Sequence, residues 1–363
     1  MLREIGERIR RARKDAALSQ AALAEAVGVT QATVSAWESG GHGPSNEHFE
    51  AIARACGRSP GWLAFGDREA GPARREEHSA MKRDARTIAF QGVPGAYSHL
   101  ACRIAFPDLE PVACRTFEDA FAAVEEGRAD LGMIPIENSL GGRVADIHHL
   151  LPESSLYIVD EHFQPVQHHL LAVPGAKLEG LKSVLSHEQA LAQCRGLIRE
   201  LKLDAVISAD TAGAAAEVAE RGDPGVAAIA SELAGEIYDL VSLRTRIEDR
   251  LGNTTRMVVM SRVREEPDPK DGDAITSLVF QVRSVPAALY KALGGFATNG
   301  VNITRLESYI SEAMSGIAQF YIDIEGHPSD KAVDHAFNEL HFYSTKMKIL
   351  GVYKAHPFRR EGQ

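Results

Sequence analysis

Residues Leu131-Gly132-Met133-Ile134-Pro135-Ile136 form an apolar run that passes directly into Glu137-Asn138-Ser139 and then Gly141-Gly142. The apolar run predicts a strand, and the glycines predict a turn after it. In an α/β sheet, side chains at the carboxyl end of a strand lie where ligands bind. This stretch therefore predicts a strand of an α/β domain with three polar side chains at the ligand-binding edge of its sheet.

Strand-like and helical stretches alternate on both sides of this strand. Before it, Ile88-Ala89-Phe90 leads into a glycine-rich turn at Gly92–Gly95 and a helix that runs to Phe106. After it, Leu156–Val173 is extended and is expected to cross into a second lobe. That lobe contains strands separated by helices, at Val184–Leu185, Ala205–Ser208 and Val226–Ala230. The order predicts two doubly wound α/β lobes with a ligand cleft between them.

A second polar stretch, Asn253-Thr254-Thr255-Arg256, lies just before the apolar strand Met257–Met260. Arg binds a carboxylate through two parallel hydrogen bonds, and a Thr hydroxyl both donates and accepts. The stretch thus predicts one wall of a site for an anionic small molecule. Taken alone, an ordinary turn with a surface Arg is the better interpretation, and the rest of the chain decides between the two.

Composition narrows the class of protein and the kind of site. With 363 residues, of which 44% are hydrophobic, the chain can form two or three globular domains. No run approaches the roughly 20 apolar residues of a membrane span, and the charged N-terminus lacks a secretory signal. We therefore expect a cytoplasmic protein without a membrane partner. The scattered cysteines lack a CxxC pair, which predicts free thiols and argues against a zinc site or a disulfide framework: Cys56, Cys102, Cys114 and Cys194.

Residues 1–66 predict a small all-α module, whose last two helices are expected at 45–56 and 59–65. Ser19 and Thr30 are suited to cap two short helices, with Gly28 in the turn between them, which is the helix-turn-helix pattern. Gln31 and Ser35 near the start of the third helix would reach base edges of DNA. Residues 1–80 hold equal numbers of acidic and basic residues, so the net charge of −10 falls on residues 81–363. This neutrality weakens the DNA interpretation, and a bundle kept for protein contacts is the alternative.

Two further segments complete the domain organisation. Residues 67–86 are charged, contain Gly71 and Pro72, and have almost no apolar residues, which predicts a linker. In residues 273–356, strand and helix patterns occur in the order βαββαβ of the α+β ferredoxin-like fold. Pro286 is expected to begin the first of its helices, because Pro favours the first helical turn.

Five strings occur in an order that is specific when taken together. They are Gly92-x-x-Gly95-x-Tyr97-Ser98-His99, Pro135-Ile136-Glu137-Asn138-Ser139, Ser186-His187-x-Gln189-Ala190-Leu191-x-Gln193-Cys194, Ala228-Ile229-Ala230-Ser231 and Asn253-x-Thr255-Arg256. Residues 87–262 thereby resemble the catalytic domain of prephenate dehydratase, whose lobes are similar to those of periplasmic binding proteins. The resemblance implies a lyase that converts prephenate to phenylpyruvate, CO2 and water in phenylalanine biosynthesis, and this reaction requires no cofactor or metal.

The resemblance also implies roles for individual residues. Thr255 would assist departure of the ring hydroxyl, and Arg256 would hold a carboxylate. Asn138, Ser186 and Gln193 would position the substrate as neutral donors, and Ser98, Ser139 and Tyr97 would join them. Glu137 is expected to be a structural carboxylate, and His99 and His187 are expected to be hydrogen-bonded structural residues. The pairs His148-His149 and His168-His169 point apart and are not metal sites.

The terminal segments resemble two further families. Residues 3–66 resemble the phage-repressor-like (XRE/Cro) helix-turn-helix family, in which Gln20 would contact a phosphate and Gln31 and Ser35 would face the groove. The string Asn302-Ile303-Thr304-Arg305-Leu306-Glu307-Ser308 resembles an ACT amino-acid-binding domain. A second motif of that family corresponds to Ala287-Ala288-Leu289-Tyr290. The resemblance implies that the two motifs bind phenylalanine, through Ala287, Ala288, Leu289, Asn302, Glu307 and Ser308. Both motifs depart from the family, with Ala287 in place of Gly and Tyr309-Ile310 in place of Arg-Pro.

Three functions remain open at this stage. The chain is an active prephenate dehydratase, an arogenate dehydratase, or a transcriptional regulator that uses the dehydratase scaffold to sense an aromatic metabolite. The complete set of polar site residues favours an enzyme, since a sensor need not keep a hydroxyl for chemistry. ACT and repressor-like modules commonly pair, so we expect a homodimer or homotetramer.

Overall fold

The computed structural model of the chain describes residues 2–41, 44, 46–58, 63, 85–144, 147–283, 285–310 and 318–361. The chain forms two compact units, Met1–Glu77 and His78–Gln363. Most of the predicted linker 67–86 and of the helix expected at 59–65 lies outside the described residues. Within the described ranges, no helix has the length and apolar character needed to cross a membrane.

The first unit is helical. Its described helices are α1 (Leu2–Asp15), α2 (Gln20–Val27), α3 (Gln31–Ser39) and α4 (Asn46–Cys56). The Ser19 hydroxyl accepts the Ala22 N–H at the start of α2, and Thr30 caps α3 in the same way. Gly28 ends α2 in the left-handed conformation, so the predicted caps and turn are confirmed. The core is formed by apolar side chains from all four helices: Ile9, Leu23, Val34, Trp37 and Ile52.

The second unit begins with an α/β lobe. Its elements in chain order are β1 (Thr87–Gln91), α5 (Tyr97–Ala105), β2 (Glu110–Cys114), α6 (Phe117–Glu125), β3 (Leu131–Asn138), β4 (Gly142–Arg143), α7 (Ile147–Leu150) and β5 (Tyr157–Pro165). The capping box of Thr116 and Asp119 fixes the start of α6. Leu131–Asn138 is thus a strand, and Glu137, Asn138 and Ser139 lie at its carboxyl end as predicted.

The chain then crosses to a second lobe and returns. The second lobe contains β6 (His169–Ala172), β7 (Ser183–Ser186), α8 (Glu188–Gln193), α9 (Arg195–Glu200), β8 (Asp204–Ile207), α10 (Thr211–Arg221), β9 (Val226–Ala230), α11 (Glu232–Ile237) and β10 (Val241–Arg244). Strand β11 (Thr254–Ser261) lies back in the first lobe, antiparallel between β3 and β5. The strand orders are β2-β1-β3-β11-β5 and β10-β6-β9-β7-β8. Segments 166–168 and 245–253 therefore connect the two lobes.

The remainder of the second unit is a sheet covered by two helices. Its elements are β12 (Ala274–Val282), α12 (Ala288–Thr298), β13 (Ile303–Ile310), β14 (Ala318–Glu325), α13 (Lys331–Tyr343), β15 (Ser344–Lys354) and the short α14 (Phe358–Glu361). The strands are antiparallel in the order β13-β14-β12-β15. This arrangement confirms the predicted ferredoxin-like order, and we call β12 to β15 the C-terminal sheet.

The helix expected to begin at Pro286 begins two residues later. The Ala288 N–H donates to the Val285 carbonyl at 3.2 Å, and Ala287 has a φ of +58°. These features describe a turn with Pro at its second position and a left-handed residue at its third. Pro286 therefore shapes the turn, because a residue with positive φ cannot continue a right-handed helix.

The C-terminal sheet packs on the first lobe through a shared apolar core. Tyr321 and Tyr353 from that sheet lie in one cluster with Ile158 and Val258 from the lobe. Strand β15 approaches β5 so closely that a Cβ atom at Gly351 would overlap the Ile158 carbonyl. Only glycine fits at this crossing.

Candidate active site

Thr255 and Asn138 lie opposite each other in the paired strands β11 and β3. The Asn138 side-chain oxygen accepts the N–H groups of Leu140 and Gly141, at 3.0 and 2.7 Å. Its amide nitrogen therefore faces the Thr255 hydroxyl and donates to it at 3.0 Å. Because this hydroxyl accepts from Asn138, its own hydrogen is free to point elsewhere. The half-buried Thr255 is thus an oriented donor at the sheet edge.

A chain of hydrogen bonds begins at Ser139, just after β3, and reaches both segments that connect the lobes. The Ser139 hydroxyl accepts the Thr254 N–H at 3.0 Å and lies 3.4 Å from the side-chain oxygen of Asn253. The Asn253 amide donates to Gln193 Oε1 at 3.0 Å. His168 Nε2 lies 2.9 Å from the same oxygen. Asn253 thus connects the end of the first lobe's sheet to Gln193 of the second lobe through its side-chain amide.

His168 is the residue that sequence reasoning missed. Its Nδ1 atom lies 2.8 Å from the hydroxyl of Tyr97, which is also 2.8 Å from the Gln167 carbonyl. Burial lowers the pKa of His168, and burial raises the pKa of Tyr97 well above its ordinary value. Both side chains are therefore neutral near pH 7. Because the Gln193 oxygen can only accept, a neutral His168 donates to it from Nε2 and accepts from Tyr97 at Nδ1. The neighbouring His169 instead contacts Ser242, so the paired histidines point apart as predicted.

Gln193 is held in one orientation by two donors. Because Asn253 and His168 both donate to Oε1, the two N–H groups of Gln193 point the other way. They have no hydrogen-bond acceptor in the described part of the chain. Gln193 is therefore an oriented, uncharged donor that a ligand oxygen can use.

Arg256 does not face this site, contrary to expectation. Its side chain is only 2% exposed. The guanidinium donates to Glu161, Asp323 and the Tyr353 hydroxyl, at 2.9, 2.5 and 2.8 Å. Successive side chains of a strand point to opposite faces of the sheet. Because the side chain of Thr255 faces Asn138, that of Arg256 faces away from it. The predicted carboxylate contact of Arg256 is therefore wrong, because protein carboxylates already occupy its donors.

Three other predicted residues also have internal partners. Ser186 is fully buried and donates to the Ile229 carbonyl at 2.6 Å, which ties β7 to β9 rather than facing a ligand. His99 accepts the Gly95 N–H, and His187 accepts the Gln189 N–H at the start of α8. The structural roles expected for both histidines are confirmed. Ser98 is buried in the first turn of α5.

Glu137 braces its surroundings, as predicted. Its carboxylate pairs with Arg305 of β13 and lies 3.8 Å from Arg256. Met257 is 1% exposed and packs with Phe90 and Val259 in the core of the first lobe. The described residues contain no cluster of His, Cys, Asp or Glu suited to a metal ion.

In the first unit, Gln31 and Ser35 are exposed on α3. Gln20 instead donates its amide to the buried Glu38 at 2.9 Å, and Arg13 pairs with the same carboxylate. This bond uses one of the two N–H groups of the Gln20 amide, so the phosphate contact of Gln20 stays a prediction. In the C-terminal sheet, Asn302 donates to Glu325, and Glu307 pairs with Arg305.

Comparison with known proteins agrees with this architecture. The sequence pattern of the prephenate dehydratase family matches residues 88–265, and that of a helix-turn-helix family matches residues 9–63. A bifunctional N-acyl-homoserine lactone acylase/prephenate dehydratase of Komagataeibacter europaeus is 51% identical, over 76% of this chain and 98% of its own length. The chloroplastic arogenate dehydratase/prephenate dehydratase 1 of Arabidopsis thaliana is 40% identical, over 73% of this chain and 71% of its own.

A solved structure is also similar. The prephenate dehydratase of Arthrobacter aurescens, in complex with L-Phe, is 32% identical and superposes with a TM-score of 0.68. The match covers 74% of this chain and 90% of that one. This chain therefore belongs to the prephenate dehydratase family, with a helix-turn-helix module ahead of the dehydratase region.

Proposed function

We propose that the chain converts prephenate to phenylpyruvate, CO2 and water. The substrate loses its ring hydroxyl and ring carboxylate together, and the prephenate dianion plus one proton gives the phenylpyruvate monoanion. The single observation that carries the proposal is the Asn138–Thr255 pair, which leaves the hydrogen of Thr255 free at the edge of the sheet.

Thr255 acts as an oriented donor to the departing hydroxyl. A Thr hydroxyl is too weakly acidic to supply a proton outright, so its effect comes from preorganisation. Asn138 fixes the direction of the donor because its amide occupies a lone pair of the Thr255 oxygen. The hydrogen bond strengthens as the leaving oxygen develops negative charge, which favours the transition state over the ground state.

Uncharged donors bind the substrate carboxylates. Gln193 presents its two N–H groups, and the first turn of α5, with Tyr97 and Ser98, offers backbone N–H groups that lack helical partners. Ser139 shapes the turn beside Asn253. Uncharged donors suit this reaction, because the ring carboxylate must leave as neutral CO2. We place Arg256 and Ser186 in the supporting framework.

The test uses the purified full chain with prephenate and, separately, arogenate. Formation of phenylpyruvate without acid treatment is the expected result, and CO2 should appear in equal amount. Formation of phenylalanine from arogenate at a higher kcat/KM would make the amino-bearing compound the preferred substrate. Absence of turnover with both compounds, by a folded protein, would reject the enzyme and leave the metabolite-sensing regulator.

We also propose that the helix-turn-helix module binds DNA. The exposed Gln31 and Ser35 at the start of α3 support this role. Binding of a genomic fragment library by the full chain should weaken when Gln31 is replaced by Ala, whereas Glu25→Ala on α2 serves as the control. Equal retention of DNA by the Q31A variant would contradict the placement of α3 in the groove.

Phenylalanine is the proposed effector of the C-terminal sheet. The similar Arthrobacter aurescens protein was solved in complex with L-Phe, which supports this effector. The residues that would hold it here are Ala287, Ala288, Leu289, Asn302, Glu307 and Ser308. In a homodimer or homotetramer, the C-terminal sheets of two chains would pair and enclose the phenylalanine. We place the enzyme in the cytoplasm. Titration of phenylalanine against turnover tests the effector, and sedimentation tests the assembly. No response at millimolar phenylalanine would leave the sheet as an assembly element.

A second activity is favoured by one relative. The Komagataeibacter europaeus protein is named as an acylase as well, and the identity of 51% extends over 98% of its length. Hydrolysis would add water across the amide of an N-acyl-homoserine lactone and release the fatty acid and homoserine lactone. Chromatography of such a reaction decides the point, since an active dehydratase that releases no fatty acid would lack this second activity.

A further inference from the structure

The C-terminal sheet contacts both strands that carry the proposed catalytic pair. Arg256, which follows Thr255 in β11, is bound by Asp323 of β14. Glu137, which precedes Asn138 in β3, is bound by Arg305 of β13. Each member of the pair therefore has a direct neighbour that is anchored outside the α/β lobes.

The anchor of Arg256 is enclosed and fully paired. Burial would raise the pKa of Asp323, but Arg256 and Arg359 outweigh it and lower that pKa below its usual value. The side chains of Asp323 and Glu161 are fully buried, and Arg359 donates to Glu161 at 2.6 Å. Since each charge has a partner, displacing Arg256 would leave a buried charge unpaired, which is strongly unfavourable. The backbone next to Thr255 is therefore held by the C-terminal sheet.

The anchor of Glu137 includes the turn that follows Asn138. Arg143 in β4, whose neighbour Gly142 pairs with Asn138, donates to the Ser308 carbonyl at 2.8 Å. Arg305 is mostly buried and contacts Glu137 and Glu307 together. Arg256 lies 3.8 Å from the other oxygen of Glu137, so the two anchors meet.

We propose that Asp323 and Arg305 are positioning residues for the dehydration, acting through Arg256 and Glu137 on Thr255 and Asn138. The inference rests on the proposed function. The C-terminal sheet is on this view a structural part of the active site. A donor displaced by a fraction of an ångström loses alignment with the leaving group, so these residues affect kcat more than KM.

The same geometry links the expected effector motif to the reaction. On β13, the Glu307 carboxylate accepts a hydrogen bond from Arg305, and the Ser308 carbonyl accepts one from Arg143. A ligand that shifts this strand changes the support of Asn138 without entering the substrate site. Its effect is therefore expected on kcat, at nearly constant KM.

The experiment compares Asp323→Asn, Arg305→Gln and the conservative Arg305→Lys with Lys348→Met. Lys348 also links the C-terminal sheet to the first lobe, because it donates to the carbonyls of Pro152 and Ser154, but it contacts neither site strand. Steady-state kinetics with prephenate and thermal unfolding are measured for each full-length protein. We expect kcat to fall at least tenfold in D323N and R305Q, with KM within about twofold, and R305K to recover part of the loss.

Three results would overturn the proposal. One is a wild-type kcat in folded R305Q, a second is a loss in K348M as large as in R305Q, and a third is a loss confined to KM. If D323N does not fold, R305Q and R305K decide, because Glu137 is partly exposed and tolerates loss of its partner better. An inactive wild-type protein would instead reject the proposed function, which separates the two failures.

Discussion

Thr255 and Arg256 are adjacent in sequence and serve different parts of the molecule. The hydroxyl of Thr255 meets Asn138, whereas the guanidinium of Arg256 meets Glu161 and Asp323. Sequence reasoning treated the stretch as a turn before a strand and assigned both side chains to one anion. The strand begins at Thr254, so strand alternation separates them. If the alternation of side chains is extended from Met257 back to Thr254, Thr255 and Arg256 are placed on opposite faces of the sheet.

Removing the hydroxyl of Thr255 tests its role as a donor. Thr255→Val keeps the shape and loses the hydrogen bond, so kcat should fall about 100- to 1000-fold with little change in KM. Thr255→Ser keeps the hydroxyl and should retain most of the activity. Steady-state kinetics measure both. A T255V protein within tenfold of the wild-type kcat would show that another group assists the leaving hydroxyl.

His168 should matter for substrate binding because it orients Gln193. In His168→Asn, Gln193 loses a donor to Oε1 and can turn its amide, so kcat/KM for prephenate should fall roughly tenfold or more. His169→Asn is the matched control, since this adjacent histidine contacts Ser242 and not Gln193. Equal losses in the two variants would indicate a general effect on β6 instead.

At the scale of elements, the strongly patterned helices and strands were predictable. The caps Ser19 and Thr30 and the apolar runs of β1, β3 and β9 have local causes that a single sequence shows. The strand β10 was missed because its residues are mostly exposed and lack an apolar run. The role of His168 was also invisible, because Tyr97 and Gln193 approach it only through the crossing between the lobes.

The turn before α12 allows a prediction of stability. Ala287 adopts a φ of +58°, which costs an L-residue about 1 kcal/mol or more. Ala287→Gly relieves this strain but makes the unfolded chain more flexible, so a net gain of roughly 0.5 kcal/mol is expected. Ala288→Gly, in the first turn of α12, should reduce stability by a similar amount. Urea unfolding compares the two, and a less stable A287G would contradict the strain at this turn.

At the scale of the whole molecule, buried ionisable groups set the response to acid. Burial lowers the pKa of His168 below 6.5, so the unfolded chain takes up a proton that the native chain does not. The unfolding free energy is therefore highest above about pH 6.5 and falls as the pH drops through this range. For Asp323 and Glu161, burial would raise the pKa, but their Arg partners lower it. The contribution of Glu161 to the unfolding free energy therefore falls only below about pH 4.5, and that of Asp323 only below about pH 3.8.

The measurement is the urea midpoint of the full chain across the acid range. We expect a decline that begins near pH 6.5 and steepens below pH 4.5. His168→Asn should flatten the first part of the decline, because its titration is then absent. A midpoint that rises as the pH falls from 7 to 5 would contradict the sign of the His168 shift.

Gly351 has a consequence for attempts to exchange domains between enzymes. At the point where β15 crosses β5, no space is left for a Cβ atom beside Ile158. The two sheets can therefore approach this closely only with glycine at position 351. A chimera that receives a foreign regulatory domain needs glycine at this crossing, even where its ligand pocket is intact. Without it, the graft sits away from the lobe, and Asp323 and Arg305 no longer reach their partners. The exchange of domains between such enzymes is therefore limited by a single residue, although that residue belongs to neither the proposed substrate site nor the proposed effector site.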